Sequence, residues 1–246
     1  EVAAQWDAHD HSTWYLWNDF DLKALKKKRD DYVLRLNGIY KNGLANSGVT
    51  FLEGDASFTD GSTVAVGADT YSAKTILLAV GGRPSRPNIP GAELGMDSDG
   101  FFEMETLPER VAVVGSGYIA VELAGILNVL GVKVDLIIRS ELPLRFVEPD
   151  VVRMLVTEME NAGINIVRGD SAAIEADASG AKTIKFTDGT SSGPYDDLLW
   201  ATGREPVTAS LNLPAAGVET TKSGHVVVDD ASRTTAPGVY ALGDVI

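Results

Sequence analysis

RVAVVGSGYIAVELAGILNVLGVKVDLIIRSELPLR, residues 110–145, is the stretch whose reading decides the fold. Val111-Ala112-Val113-Val114 is apolar, rich in β-branched residues and too short for a helix, so it reads as a buried parallel strand. Gly115-Ser116-Gly117-Tyr118-Ile119-Ala120 follows directly, in the G-x-G-x-x-G/A pattern of a dinucleotide-binding turn. Gly115 permits the tight turn, Gly117 lets the backbone approach a pyrophosphate, and small Ala120 lets the next helix pack close to the strand. Ile119, Leu123, Ile126, Leu127 and Leu130 recur at helical spacing, which predicts a helix over 118–130 ended by Gly131. The helix N-terminus offers free N–H groups and a positive dipole end to phosphates. A second strand over 132–138 completes a βαβ unit. Glycines in this pattern mean little alone; their place between strand and helix gives them meaning.

The end of the second strand decides between coenzymes. An NAD site carries a carboxylate there, about twenty residues after the glycines, to accept hydrogen bonds from the ribose 2′-OH. This strand instead ends on Ile138, followed by Arg139, with Arg145 in the same loop. Asp135 is no substitute: it lies below the strand's end and, because strand side chains alternate, faces the opposite side from Ile138. Two guanidinium groups suit a 2′-phosphate, whose oxygens accept paired, charge-assisted hydrogen bonds. The loop therefore favours NADPH over NADH.

The whole chain sets wider bounds. It has 246 residues, enough for one large or two modest domains. A net charge of −14 argues against nucleic acid or an anionic membrane as the main partner. No apolar run is long enough to span a membrane, and EVAAQWDAHDHSTW lacks the basic and apolar regions of a signal peptide. Cysteine is absent, which excludes disulfides, thiol nucleophiles and Cys-based metal sites within these residues and leaves the compartment undetermined. His9 and His11 stand in a polar-aromatic cluster with Trp14, Tyr15 and Trp17 but lack a ligand framework, so no metal site is expected.

Residues 19–45 read as a long helix with Asp19 as N-cap and an apolar stripe of Leu22, Leu25, Tyr32, Val33, Leu36 and Tyr40. Its basic run, Lys26 to Arg29, reads as a solvated face. Short strands are expected over 49–53, 56–58, 63–66 and 75–80. The passage 81–87, GGRPSRP, reads as a linker, followed by a loop to Pro108. Downstream, a helix over 149–161 starts at Pro149, and strands are expected over 164–168, 171–176, 181–186 and 197–201. Residues 202–206, TGREP, read as a return linker, with final strands over 225–229 and 238–242.

Several long matches, in order, resemble the flavoprotein pyridine nucleotide-disulfide oxidoreductases, and within them the branch that reduces glutathione disulfide. LRLNGIYKNGL with GVTFLEGDASF is similar to the stretch leading out of that family's redox-disulfide region. ILLAVGGRPSRPNIPG resembles the crossing into its NADPH domain, and VGSGYIAVELAGIL its coenzyme motif. LLWATGREP resembles the return crossing, and GVYALGDVI the second FAD motif. The resemblance implies an α/β fold in which a Rossmann-like NADPH domain with a parallel sheet (82–206) is inserted in an interrupted FAD-binding domain (1–81 and 207–246).

It also implies roles for individual residues. Ser116, Ile119 and the neighbouring glycines would line the NADPH pyrophosphate and ribose, and Tyr118 would gate the nicotinamide pocket. Glu122 would sit near the nicotinamide; read without the family, it is a first-turn carboxylate favoured by the helix dipole. Gly203 would meet the coenzyme through its backbone, with Arg204 shaping the domain junction. Asp244 would accept hydrogen bonds from the FAD ribitol, and Ala56 would lie near the FAD adenine. The expected activity is electron transfer from NADPH through FAD to a redox disulfide and then to glutathione disulfide, in a cytoplasmic homodimer without nucleic-acid or membrane partners. The family's first FAD motif, its two cysteines and its catalytic histidine have no counterparts in these residues, so the chain is expected to be the central part of a longer protein. Val80 stands where the family has threonine. A sister reductase acting on dihydrolipoamide or mercuric ion, or a non-catalytic NADPH-binding module, would share the same coenzyme unit.

Overall fold

The structure, a computed structural model, describes residues 20–246. The His9–Trp17 cluster and the N-cap expected at Asp19 lie outside the described residues. From the N-terminal side, α1 (Leu22–Asn46) is followed by β1 (Ala56–Asp60), β2 (Thr63–Val66), β3 (Asp69–Ser72), β4 (Ile76–Leu78) and β5 (Gly82–Pro84). Next come β6 (Met96–Asp97), α2 (Ser98–Glu103), β7 (Arg110–Val114), α3 (Tyr118–Val129), β8 (Lys133–Ile138), α4 (Pro149–Asn161) and β9 (Asn165–Arg168). Then β10 (Ser171–Ala176), β11 (Lys182–Phe186), β12 (Ser191–Tyr195), β13 (Asp197–Trp200), β14 (Arg204–Pro206), α5 (Leu213–Ala216) and β15 (Val239–Ala241) follow. The chain divides into two compact units: Pro87–Ala201 with the described residues up to Asp31, and Tyr32–Arg86 with Thr202–Ile246.

The first unit is built on a five-stranded sheet in the order β6-β13-β7-β8-β9, parallel throughout. Alternation along β7 splits its side chains between two cores. Val111 and Val113 face α3, where Ala120, Leu123, Ala124 and Leu127 are buried. Ala112 and Val114 face the other way, packing with Ile174, Ile184, Phe186 and Tyr195 of the antiparallel sheet β10-β11-β12. A sheet covered on both faces needs apolar residues at every position, which is why β7 and β8 read as continuous hydrophobic runs. Strand β12, SSGPY, has no such run, and its pairing with β11 was not legible in the sequence. Helix α2 forms where a loop was expected, because the Asp97 side chain accepts hydrogen bonds from the N–H groups of Asp99 and Gly100.

Helix α1 forms close to its expected bounds, but Asp21 caps it, accepting from the Ala24 N–H at 2.9 Å. The basic run at its start is more than a solvated face. Lys26 is 17% exposed and pairs with Asp30 and Glu103 at 2.8 and 3.0 Å. Lys23 pairs with Glu105 at 2.7 Å, and the Arg29 guanidinium donates to the Phe102 carbonyl at 2.6 Å. The apolar stripe is not a core face: no residue of α1 is buried among the described residues.

In the second unit, β1, β2 and β3 form an antiparallel meander, and β4 pairs in parallel with β15. Its core gathers Phe58, Leu78, Leu211, Leu213, Val226, Val239, Ala241 and Val245. Two expected strands do not form. Residues 49–53 are irregular, and 225–229 contribute only isolated bridges, Thr220 to Val226 and Val228 to Thr234. Conversely, the two passages read as linkers pair with each other as antiparallel β5 and β14. No helix among the described residues is long and apolar enough to cross a membrane.

Candidate functional site

The site begins at the C-terminal edge of the parallel sheet, between β7 and β13, where the strand order reverses. Ala201 extends this contact by donating its N–H to the Val114 carbonyl at 2.8 Å. Gly115, with φ +146°, turns the chain here, and a Cβ on it would fall 2.1 Å from the Ala201 carbonyl oxygen. Only glycine fits so close an approach. Gly117 differs. It is the N-cap of α3, with φ −86° and no side-chain cap, and a Cβ on it would meet nothing within 4 Å. The first turn of α3 thus faces open space with uncapped N–H groups, the arrangement that receives a phosphate.

The residues around this turn sort by burial. Ala120 is fully buried, which lets α3 lie close to the sheet, and Ser116 and Ile119 are half-buried. Tyr118 is 62% exposed at the start of the helix. Glu122 is exposed, but α3 starts at Tyr118, so Glu122 lies beyond the first turn. The first-turn reading is corrected accordingly, since the dipole effect fades past that turn.

The loop after β8 comes back to the glycine turn. Leu144, at φ +51°, donates its N–H to the Ser116 carbonyl at 2.7 Å. This bond ties the loop carrying Arg139 and Arg145 to the turn at the start of α3. Both arginines are exposed. Arg29, Arg83, Arg110, Arg153 and Arg204 each pair with a carboxylate, whereas Arg139 and Arg145 form no ion pair among the described residues. Arg145 lies over the ring of Phe146, 5.9 Å from its centroid. Leu144 carried no sequence signal, because nothing local marks a leucine for positive φ.

Asp135 is used up structurally. It is 6% exposed and accepts from Arg110 at 2.6 Å, Tyr195 at 2.8 Å and Asn165 at 3.1 Å. It lies on the Tyr195 side of the sheet while Ile138 packs in the α3-side core, so the carboxylate does not stand at the strand's end. Burial pushes the Tyr195 hydroxyl above its ordinary value, and the Asp135 carboxylate adds to this against an opposing pull from Ser192.

The residues present fit a dinucleotide with a 2′-phosphate. Open space lies at Gly117, the helix start has no side-chain cap, and two guanidinium groups with no ion pair among the described residues sit on a loop bonded to the same turn. Among the described residues, no cluster of three or more His, Asp or Glu could hold a metal ion.

The other expected site residues belong to the second unit. Gly203, at φ +143°, accepts from the Ser85 N–H at 3.0 Å. Arg204 donates to the Gly82 carbonyl at 2.5 Å and reaches Asp244 at 3.5 Å. The structure thus brings Gly82, Arg204 and Asp244 together, a contact not read from the sequence. Asp244 remains largely exposed at 63% of its side chain. Ala56 is half-buried at the start of β1, paired with Val66 in a different sheet from β15.

A family model described as pyridine nucleotide-disulphide oxidoreductase matches residues 4–246. A glutathione reductase of Schizosaccharomyces pombe is 44% identical over 235 residues, covering 92% of the chain and 50% of that protein. A glutathione reductase of Yarrowia lipolytica is 39% identical over 246 residues, covering 93% and 51%. Among solved structures, the HOCl-induced flavoprotein disulfide reductase RclA from Escherichia coli superposes with a TM-score of 0.85 at 26% identity, covering 94% of the chain and 54% of that protein. The chain spans about half the length of the curated relatives it matches.

Proposed function

Because the chain belongs to the pyridine nucleotide-disulphide oxidoreductase family, we propose that it carries the NADPH site, and part of the FAD site, of a reductase of glutathione disulfide. The names of the two curated relatives support that substrate. The coenzyme reading is carried by one observation, the 2.7 Å bond from Leu144 to Ser116, which ties an arginine-bearing loop to an uncapped helix start. When bound, NADPH supplies a hydride and FAD relays the electron pair toward a disulfide.

The chain's own residues bind and orient. The N–H groups at Gly117 and the start of α3 hold the pyrophosphate, with Ser116, Ile119 and the small Ala120 shaping the turn. Arg139 and Arg145 hold the 2′-phosphate. Exposed Tyr118 covers the nicotinamide pocket and moves aside for it, while Glu122 stands one turn further on. Asp244 accepts from the FAD ribitol, held by Arg204, and Ala56 lies by the adenine. The parallel-sheet unit takes the NADPH role and the second unit the FAD role. We place the whole protein in the cytoplasm as a homodimer; the net charge of −14 disfavours nucleic acid and anionic membranes as partners.

The test is to titrate NADPH and NADH into the protein and into the Arg139→Ala, Arg145→Ala double variant. Each lost charge-assisted hydrogen bond is worth about 1.5–3 kcal/mol, so NADPH is expected to weaken about a hundredfold or more while NADH changes little. Equal losses for both coenzymes would overturn the assignment, because NADH has no 2′-phosphate.

A further inference from the structure

We infer that Arg168, which no coenzyme motif includes, is a positioning residue that sets the preference for NADPH over NADH by holding the loop of Arg139 and Arg145 in its binding shape. The inference rests on the coenzyme reading above. Arg168 is the last residue of β9 and stands opposite Ile138, the last residue of β8, in parallel register. The Gly169 N–H closes this edge by donating to the Ile138 carbonyl at 3.0 Å. The loop therefore leaves the sheet at a fixed root, with Arg139 as its first residue.

Beyond that root, no regular strand or helix holds the chain before α4. Polar contacts shape the loop instead, among them a bond from the Val147 N–H to the Leu144 carbonyl at 2.8 Å. The Ser140 hydroxyl donates to the Leu142 carbonyl at 2.7 Å. The Leu144 N–H donates to the Ser116 carbonyl at 2.7 Å, with Leu144 held at φ +51°. Nearer the root, the Arg168 Nε donates to the Glu141 carbonyl at 3.2 Å. A non-glycine residue at positive φ persists only where its surroundings impose it. The Arg168 bond anchors the loop three residues beyond its root, between Arg139 and Arg145, from a strand the loop does not belong to.

Without that bond, the two guanidinium groups would have to be ordered when coenzyme binds. The entropy cost would fall on the 2′-phosphate contacts alone, because the pyrophosphate is met by backbone at Gly117. Arg168 is exposed and forms no ion pair among the described residues, so its removal leaves neither a cavity nor an uncompensated buried charge.

The experiment is a titration of NADP+ and NAD+ into the wild-type protein, Arg168→Ala, the Arg139→Ala, Arg145→Ala double variant, and the triple variant. Arg168→Ala is expected to weaken NADP+ about tenfold, with NAD+ affinity unchanged within about twofold. In the double-variant background, Arg168→Ala is expected to add almost nothing, because residues acting through one loop are strongly coupled. A full additive loss in that background would show that Arg168 meets the phosphate itself, and would overturn the positioning role. Unchanged NADP+ affinity in Arg168→Ala, or equal loss of both coenzymes, would overturn it too. A wild-type protein that does not distinguish NADP+ from NAD+ would instead defeat the coenzyme reading beneath it.

Discussion

Gly115 and Gly117 stand two residues apart and are required for different reasons. At Gly115 both the backbone angle, φ +146°, and the Ala201 carbonyl oxygen, 2.1 Å from where a Cβ would lie, exclude any side chain. Gly115→Ala is therefore expected to destabilise the protein by about 2–4 kcal/mol through strain and overpacking, measured by urea unfolding without ligand. At Gly117 the backbone is ordinary, φ −86°, and the Cβ would enter open space. Gly117→Ala is expected to leave stability nearly unchanged while weakening NADPH and NADH alike by about tenfold or more, since both share the pyrophosphate. The paired outcome separates a glycine the fold needs from one the ligand needs. A destabilised Gly117→Ala with normal binding would contradict the assignment of open space to the pyrophosphate.

Among the elements, the parallel sheet and the antiparallel β10-β11-β12 layer are joined by a polar knot inside an apolar interface. Tyr195, at the end of β12, is 1% exposed and donates to Asp135 of β8, which also accepts from Arg110 of β7. The Arg110 guanidinium lies over the Tyr195 ring, 4.9 Å from its centroid. Burial, then the Asp135 carboxylate, raise the Tyr195 hydroxyl above the unfolded value of about 10. A group raised in the folded state contributes stability that is fully present below its unfolded value and lost as pH climbs through its folded one. Urea unfolding at about pH 8 and about pH 11 should therefore show a larger alkaline loss in the wild type than in Tyr195→Phe, which has no proton to give up there. Equal losses would place the alkaline sensitivity elsewhere. Helix α1 shows the opposite balance. Its start is fastened by Lys23, Lys26 and Arg29, while Leu25, Tyr32, Val33, Ile39 and Tyr40 are exposed. The carboxylates that meet these lysines are exposed and screened by solvent, so α1 draws little of its stability from the pairs.

For the molecule as a whole, two separate compact units have separate cores, and a single two-state transition is not expected. Calorimetry should resolve two transitions. NADP+ should raise the one belonging to the parallel-sheet unit, by about 2.7 kcal/mol at a hundred times its Kd, and leave the other near its original midpoint. A single transition shifted as a block by coenzyme would show that the units unfold together. The net charge of −14 favours solubility well above the sequence pI of 4.6 and opposes binding to polyanions, so low ionic strength should not drive the protein onto nucleic acid.

The amino-acid sequence by itself determined what depends on neighbours along the chain. Strand β7, the glycine turn, α3 and β8 follow from an apolar run, a φ requirement and a helical period, all local. The arginines at the end of β8 were equally legible, since alternation along one strand removes Asp135 from the strand's end and leaves Arg139 just beyond it. What the tertiary structure alone decided depends on partners far away in sequence. Strands β3, β5, β12 and β14 carry weak patterns and exist because another strand satisfies their backbone groups. Residues 49–53 have strand-like composition but no partner strand among the described residues, and stay irregular. Helical spacing identified the stripe on α1 but not its exposure, because a period states which residues share a face and not what covers it. The burial of Asp135 depends on a tyrosine sixty residues later, and the shape of the arginine loop on an arginine from the next strand. Chain distance hides such contacts, and the fold supplies them when β8, β9 and β12 are brought together.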